Sequence, residues 1–178
     1  QVGKIQTLVS SMAGANPHIK ETYVGKSAPG ISFYDFKNNK LGIGHKSSDV
    51  LAHEMGHAAS LANASDLYKG ILRASKRASR ISNSVALPLA TFLSLNPKMS
   101  KDQKRKALNI ATGLSAALAA PNLIEELKAS GSAIYHSPTK LRTGAAMIPG
   151  IMSHSFNDFT APSTYYLATK LLGDKNND

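Results

Sequence analysis

The pentapeptide His53-Glu-Met-Gly-His57 constrains this chain more than any other stretch. Imidazoles four residues apart share one face of an α-helix, about 6 Å apart along its axis, and can turn to a single ion. Glu54 falls about 100° round the helix, off that face but within reach of a water on the ion. An H-E-x-x-H pattern thus sets two ligands and one base on one rigid rod. The flanks predict the helix. Ser47 or Ser48 can cap it, and Val50, Leu51, Met55, Ala58 and Leu61 form an apolar stripe. Gly56 is a weak helix former, yet a position without a side chain lets another backbone come close. The plain alternative is two ordinary helix histidines. The β-prone segment just before and the small residues around the motif favour a metal site.

Zinc needs a third protein ligand and an open position for water. The chain has no cysteine. An extended H-E-x-x-H-x-x-G-x-x-H motif is excluded, because Ser60 and Asn63 stand at its last two positions. Among downstream acids, Asp66 is too near, Asp102 sits in a basic tip, and Asp174 and Asp178 lie in the tail. The Glu125–Glu126 pair is left as the strong choice, with Asp158 as an outsider.

"HEMGHA" (53–58) followed by "EELKASGSA" (125–133) resembles the gluzincin metallopeptidases. The likeness is nearest to the group with E-x-x-A-S or E-x-x-A-D on the third-ligand helix. That group includes relatives of the CAAX-prenyl and heat-shock membrane proteases and bacterial neutral zinc metallopeptidases. In that pattern the ligand is the Glu three before the Ala. The resemblance therefore implies Glu126 as the ligand, Ser130 in the place of the supporting Asp or Ser, and Glu125 as a neighbour. It also implies an α+β, mainly helical, zincin-like domain with a small β-sheet. Its chemistry would be that of an endopeptidase using Zn2+ held by His53, His57 and Glu126, with Glu54 as general base. In such relatives two apolar helices often intervene between the metal-bearing helices.

The rest of the chain fits a helix-rich domain. Its 178 residues suffice for one domain over 1–178 with a sizeable core. Hydrophobic residues make up 42% and aromatics only 6%, so Leu, Ile, Val and Ala must build that core. A short helix is expected within 1–20, ending at Gly14–Pro17. Two or three strands are expected in 21–45, with 33–36 and 41–45 paired around Lys37–Lys40 and a turn at Ser27–Gly30. A helix begins at Ser65, with apolar Leu67, Ile71, Ala74, Ala78 and Ile81 on one face and Lys69, Arg73, Lys76, Arg77 and Arg80 on another. Residues 84–95 and 107–124 read as an apolar helical hairpin (84–124) around the basic tip 96–106. Pro88 and Pro121 should kink or restart its helices. Residues 125–136 continue as helix, 137–160 read as loop, and 161–172 as a last helix. No run of eighteen uninterrupted apolar residues demands a membrane span. The hairpin reads as soluble core, with shallow insertion into a membrane as the alternative.

Leu41-Gly-Ile-Gly44 resembles the edge strand on which zinc peptidases lay an extended substrate, with Gly42, Ile43 and Gly44 as substrate-binding positions. An oxyanion donor is also needed. His136, Tyr135, His154, Arg142, Tyr165 and Tyr166 are candidates, and His154 is preferred as catalytic partner. His18 and His45 read as structural.

Net charge is +10. This favours anionic partners. The basic helix face and the tip read as solvated surfaces or as contacts to an anionic membrane surface. Nucleic acid is disfavoured, because no aromatic residue is interleaved with either cluster. A cytoplasmic or peripheral membrane location follows. The chain opens on Gln1, which fits a processed product or part of a longer chain, and no signal-peptide pattern begins it. A peptide or protein is the expected substrate. The rival reading is a non-catalytic basic structural or interaction domain on a zincin scaffold within a larger virion or membrane-associated assembly. The intact Glu54 argues for the enzyme.

Overall fold

The computed structural model describes residues 21–24, 33–43, 48–137 and 139–173, with Thr7, Ser10 and Ser11. These last three are helical, within the expected first helix. The expected turns at 14–17 and 27–30, the cap at Ser47, and His18 and His45 lie outside the described residues. The protein is mainly helical with a small sheet. The single domain expected over 1–178 is divided into two compact units. One comprises Gln1–Lys69 with Ile124–Ser153, the other Gly70–Leu123 with His154–Asp178.

The first unit holds the sheet, with strands β1 (Glu21–Val24), β2 (Phe33–Asp35) and β3 (Lys40–Ile43) in the order β1-β3-β2. β2 and β3 are antiparallel, Tyr34 opposite Leu41, as the expected hairpin. Its turn is fixed by its own polar side chains. Asp35 Oδ1 accepts the N–H of Lys37 at 3.0 Å, and Asn39 takes a left-handed φ of 57°, which asparagine tolerates. Asn39 Oδ1 also accepts the Tyr34 hydroxyl. β1 joins the other side of β3 in parallel. Helix α1 (Ser48–Ala62) lies on the sheet through Met55 and Ala58, which pack with Leu41, Tyr34 and Leu51.

The remaining helices are longer than their sequence punctuation suggests. α2 (Asp66–Leu95) runs through Pro88, α3 (Lys101–His136) through Pro121, and α4 (Lys140–Asp158) through Pro149. α5 (Thr160–Gly173) follows. The helices do not restart at Pro88 or Pro121, since a long helix can lose one backbone bond and continue. The loop expected over 137–160 is mostly helix. Thr143 and Met147, one turn apart, are both buried and hold it in place. Helix starts obey local capping rules. Ser65 Oγ accepts the Tyr68 N–H, and Ser100 with Gln103 forms a reciprocal capping box.

In the second unit, Ala86 and Ala90 of α2 cluster with Leu108 of α3 and with Ala161 and Tyr165 of α5. Lys104 Nζ donates to the Ser94 carbonyl at 2.9 Å, closing the end of α2. The expected core hairpin is corrected in one respect. Its helices pair, but many of its large apolar side chains face outward, among them Leu87 (68% exposed) and Leu114 (63%).

Candidate metal centre

The centre is built where α1 meets the last turns of α3. Gly56 makes the approach feasible. A Cβ on it would lie 2.2 Å from the Ala129 carbonyl oxygen, so only glycine lets the two backbones come this close. Ala129 and Ala133, on the same side of α3, are fully buried. The sequence-based expectation for Gly56 is met.

The contact sets His53 and His57 of α1 opposite Glu125, Glu126 and Ser130 of α3. Glu126 Oε2 is 3.2 Å from His53 Nε2 and 3.4 Å from His57 Nε2. One donor atom from each of these three residues lies within 4.8 Å of the others, an arrangement that can hold a metal ion. The two rings stand nearly edge to face, with centroids 4.7 Å apart and planes at 81°. Each ring has a partner behind it. Ser130 Oγ lies 3.1 Å from His53 Nδ1, and Glu125 Oε1 lies 3.5 Å from His57 Nδ1. In the tautomer with the proton on Nδ1 of each ring, both Nε2 lone pairs would face Glu126, which lies 3.2 and 3.4 Å from them.

Glu125, expected only as a neighbour of Glu126, stands against His57. It is buried, and its other oxygen accepts the hydroxyls of Ser60 at 3.1 Å and Tyr68 at 3.3 Å. Lys128 sits over the Tyr68 ring at 4.7 Å. A carboxylate fixed from two sides cannot swing away from His57. The available signal was the unbroken Glu125-Glu126 doublet with Ser60 one turn beyond His57.

Electrostatics follow from burial and crowding. Burial pushes the Glu54 carboxyl above its usual range, against the opposing effect of His57 and His53. Nearby Glu126 adds to the rise, and the Tyr34 backbone N–H restrains it by donating to the carboxylate. Burial alone would lower the His57 pKa. Hydrogen bonds to Glu125 and Glu126, with the charges of Glu126 and Glu54, raise it instead to about 9.

The substrate-strand expectation is corrected. β3 is the central strand, paired on both sides, and not an edge. Gly42 lies between Tyr23 and Phe33, and a Cβ on it would fall 2.4 Å from the Phe33 ring, so the space above it is filled. Ile43 pairs with Val24 of β1. Gly44 lies outside the described residues. The oxyanion candidates are scattered. His136 Nδ1 engages the Ser132 carbonyl, Tyr135 is 72% exposed under Lys140, and Arg142 is exposed. Tyr165 belongs to the core of the second unit, and Tyr166 is exposed there. His154 is helical, and its side chain lies outside what is described.

No protein-family model matches the chain, no curated protein matches it, and no solved structure matches it.

Proposed function

We propose that this protein is a zinc-dependent endopeptidase of zincin-like architecture, with zinc held by His53, His57 and Glu126. One observation carries the reading. Ligand atoms about 2 Å from a tetrahedral zinc stand about 3.3 Å apart. The Glu126 oxygen stands 3.2 and 3.4 Å from the two Nε2 atoms. Two imidazoles and one carboxylate, each histidine backed at Nδ1, are the donor set of an open, catalytic zinc site.

A bound zinc ion would supply Lewis acidity, polarising a carbonyl and making water acidic enough to ionise near neutral pH. The chain's own residues do the rest. Glu54 is buried next to the ligands, and its raised pKa suits a group that takes a proton from water and returns it to the leaving amine. The Tyr34 N–H keeps its carboxylate aimed. Of the two strands that flank β3, β2 is the one whose backbone reaches Glu54, through Tyr34.

Elemental analysis of the purified chain, wild type against Glu126→Ala, tests the site. About one zinc per chain, lost in the variant, supports it. Zinc indifferent to Glu126 overturns the ligand assignment. Hydrolysis of a mixed peptide library by the zinc-loaded chain, absent in Glu54→Gln, then tests the activity. A loaded but inert wild type would leave a metal-stabilised scaffold instead.

A further inference from the structure

The helical pair of the second unit is built inside out. Its buried faces carry mostly small and polar residues, Ser75, Ser79, Ala86 and Ala90 on α2 and Ser115, Ala119 and Asn122 on α3, with Leu72 and Leu108 as the large apolar exceptions. Its exposed faces carry Val85, Leu87 and Phe92 on α2 and Ile110, Leu114 and Leu118 on α3, each 39% exposed or more. Water drives the opposite sorting. Helix pairs in lipid sort this way, because their surroundings are as apolar as leucine and small residues let the backbones approach.

The hydroxyls agree. Ser75 donates across to the Leu118 carbonyl. Ser84, Thr112 and Ser115 donate back to Ile81, Leu108 and Ala111. Each of these four is satisfied without solvent, as hydrocarbon requires, whereas Ser79 Oγ and Asn122 Nδ2 are buried with no hydrogen-bond partner. α3 contains a stretch long and apolar enough to cross a membrane, of which only 22% is buried. Between charged positions, α2 offers residues 81–95 and α3 residues 107–124, about 22 and 27 Å of helix. A bilayer core is about 30 Å thick, and flanking Lys and Arg side chains extend such segments by reaching to the headgroups. Arg73, Lys76, Arg77 and Arg80 stand at one end, and Lys98, Arg105 and Lys106 at the other. Asn109, exposed, lies within one turn of that second cluster.

We propose that α2 and α3 form a hairpin inserted in a bilayer with anionic headgroups. Segments 81–95 and 107–124 lie in hydrocarbon, and the basic clusters lie at the headgroup layers. A second copy of the chain fits less well. Leu87 projects about 160° around α2 from Val85, so no single partner face covers both. Two chains of net charge +10 would also bring like clusters together. This inference holds whether or not the site binds zinc.

The chain has no cysteine, so single cysteines report cleanly. Leu87→Cys, Phe92→Cys, Leu114→Cys and, as headgroup control, Arg77→Cys are spin-labelled in the full chain. Each is mixed with phosphatidylcholine vesicles, with or without phosphatidylglycerol. Flotation should require phosphatidylglycerol. Labels at 87, 92 and 114 should collide severalfold more with oxygen than with a water-soluble nickel chelate, and the label at 77 should show the reverse. Nickel reaching 87, 92 and 114 as freely as 77 places the hairpin in water and overturns the proposal. Both quenchers being excluded there reveals a protein partner and overturns it too. Flotation indifferent to phosphatidylglycerol removes the role given to the basic clusters.

Discussion

Glu125 Oε1 stands 3.5 Å from Nδ1 of His57, while Nε2 of the same ring faces Glu126. One imidazole is thus gripped at both nitrogens by successive residues of one helix. In Glu125→Gln the ring loses its anionic partner but keeps its packing. Zinc affinity, measured by competition with a chromophoric chelator, should fall roughly 10–100-fold. Circular dichroism should be unchanged. Affinity equal to the wild type would make this contact incidental.

Glu54 is 8% exposed and is not among the three residues that could hold a metal ion. Glu54→Gln keeps the shape and removes the base. Zinc content should be unchanged while kcat/KM for a susceptible peptide falls roughly 10²–10⁴-fold. A variant that retains most of its activity would sink the assignment of Glu54 as base.

Gly56→Ala puts a methyl group where the Ala129 carbonyl oxygen would be 2.2 Å away. The obstacle is backbone, which cannot rotate aside. The helices must separate, at a cost of about 1–3 kcal/mol. Thermal unfolding should move down, and zinc binding should weaken with it because the ligands come from both helices. Gly70→Ala is the control, since nothing lies within 4 Å of a Cβ there.

Without metal, stability should fall as pH rises. His57 is raised from an ordinary 6.5 to about 9 in the folded state, so the folded chain holds its proton more tightly. That stabilisation is fully present below pH 6.5 and lost as pH climbs through 9. Glu54, also raised, acts with the same sign from its usual 4.5 upward. Urea titrations of chelator-treated protein across this range should show a declining midpoint. A midpoint that rises from pH 6.5 to 9 would contradict the proton assignment.

Local signals carried much of this structure. HEMGH is helical because its apolar stripe and the sheet beneath it agree. Tyr34 and Leu41 pair as their alternation and the Asn-rich turn demand. Ser130, expected as a supporting residue, stands behind His53, a partner that the short motif did not name. What failed was punctuation. Pro88, Pro121 and Pro149 forbid one backbone hydrogen bond each, and a long helix with neighbours absorbs that loss. The hairpin was misread for a different reason. Composition shows that Leu87 and Leu114 are apolar, but not which way they face. β3 was placed at an edge by resemblance, and the β-prone stretches of 21–45 do not themselves tell which strand lies in the middle. Glu125 was legible as the neighbour of Glu126, but its bonds to Ser60 and Tyr68, far off in sequence, were not.

The passage of α1 against α3 at Gly56 and Ala129 also has a consequence in time. A ribosome makes HEMGH long before it makes Glu126, and the whole hairpin lies between them. The nascent chain therefore carries a pair of histidines with no third ligand, which bind metal weakly and leave Glu54 in water. The site closes only when the end of α3 has been synthesised and docked. On the proposed reading, metal uptake would be a mark of completion, because a chain cut short before residue 126 lacks the carboxylate that meets both histidines.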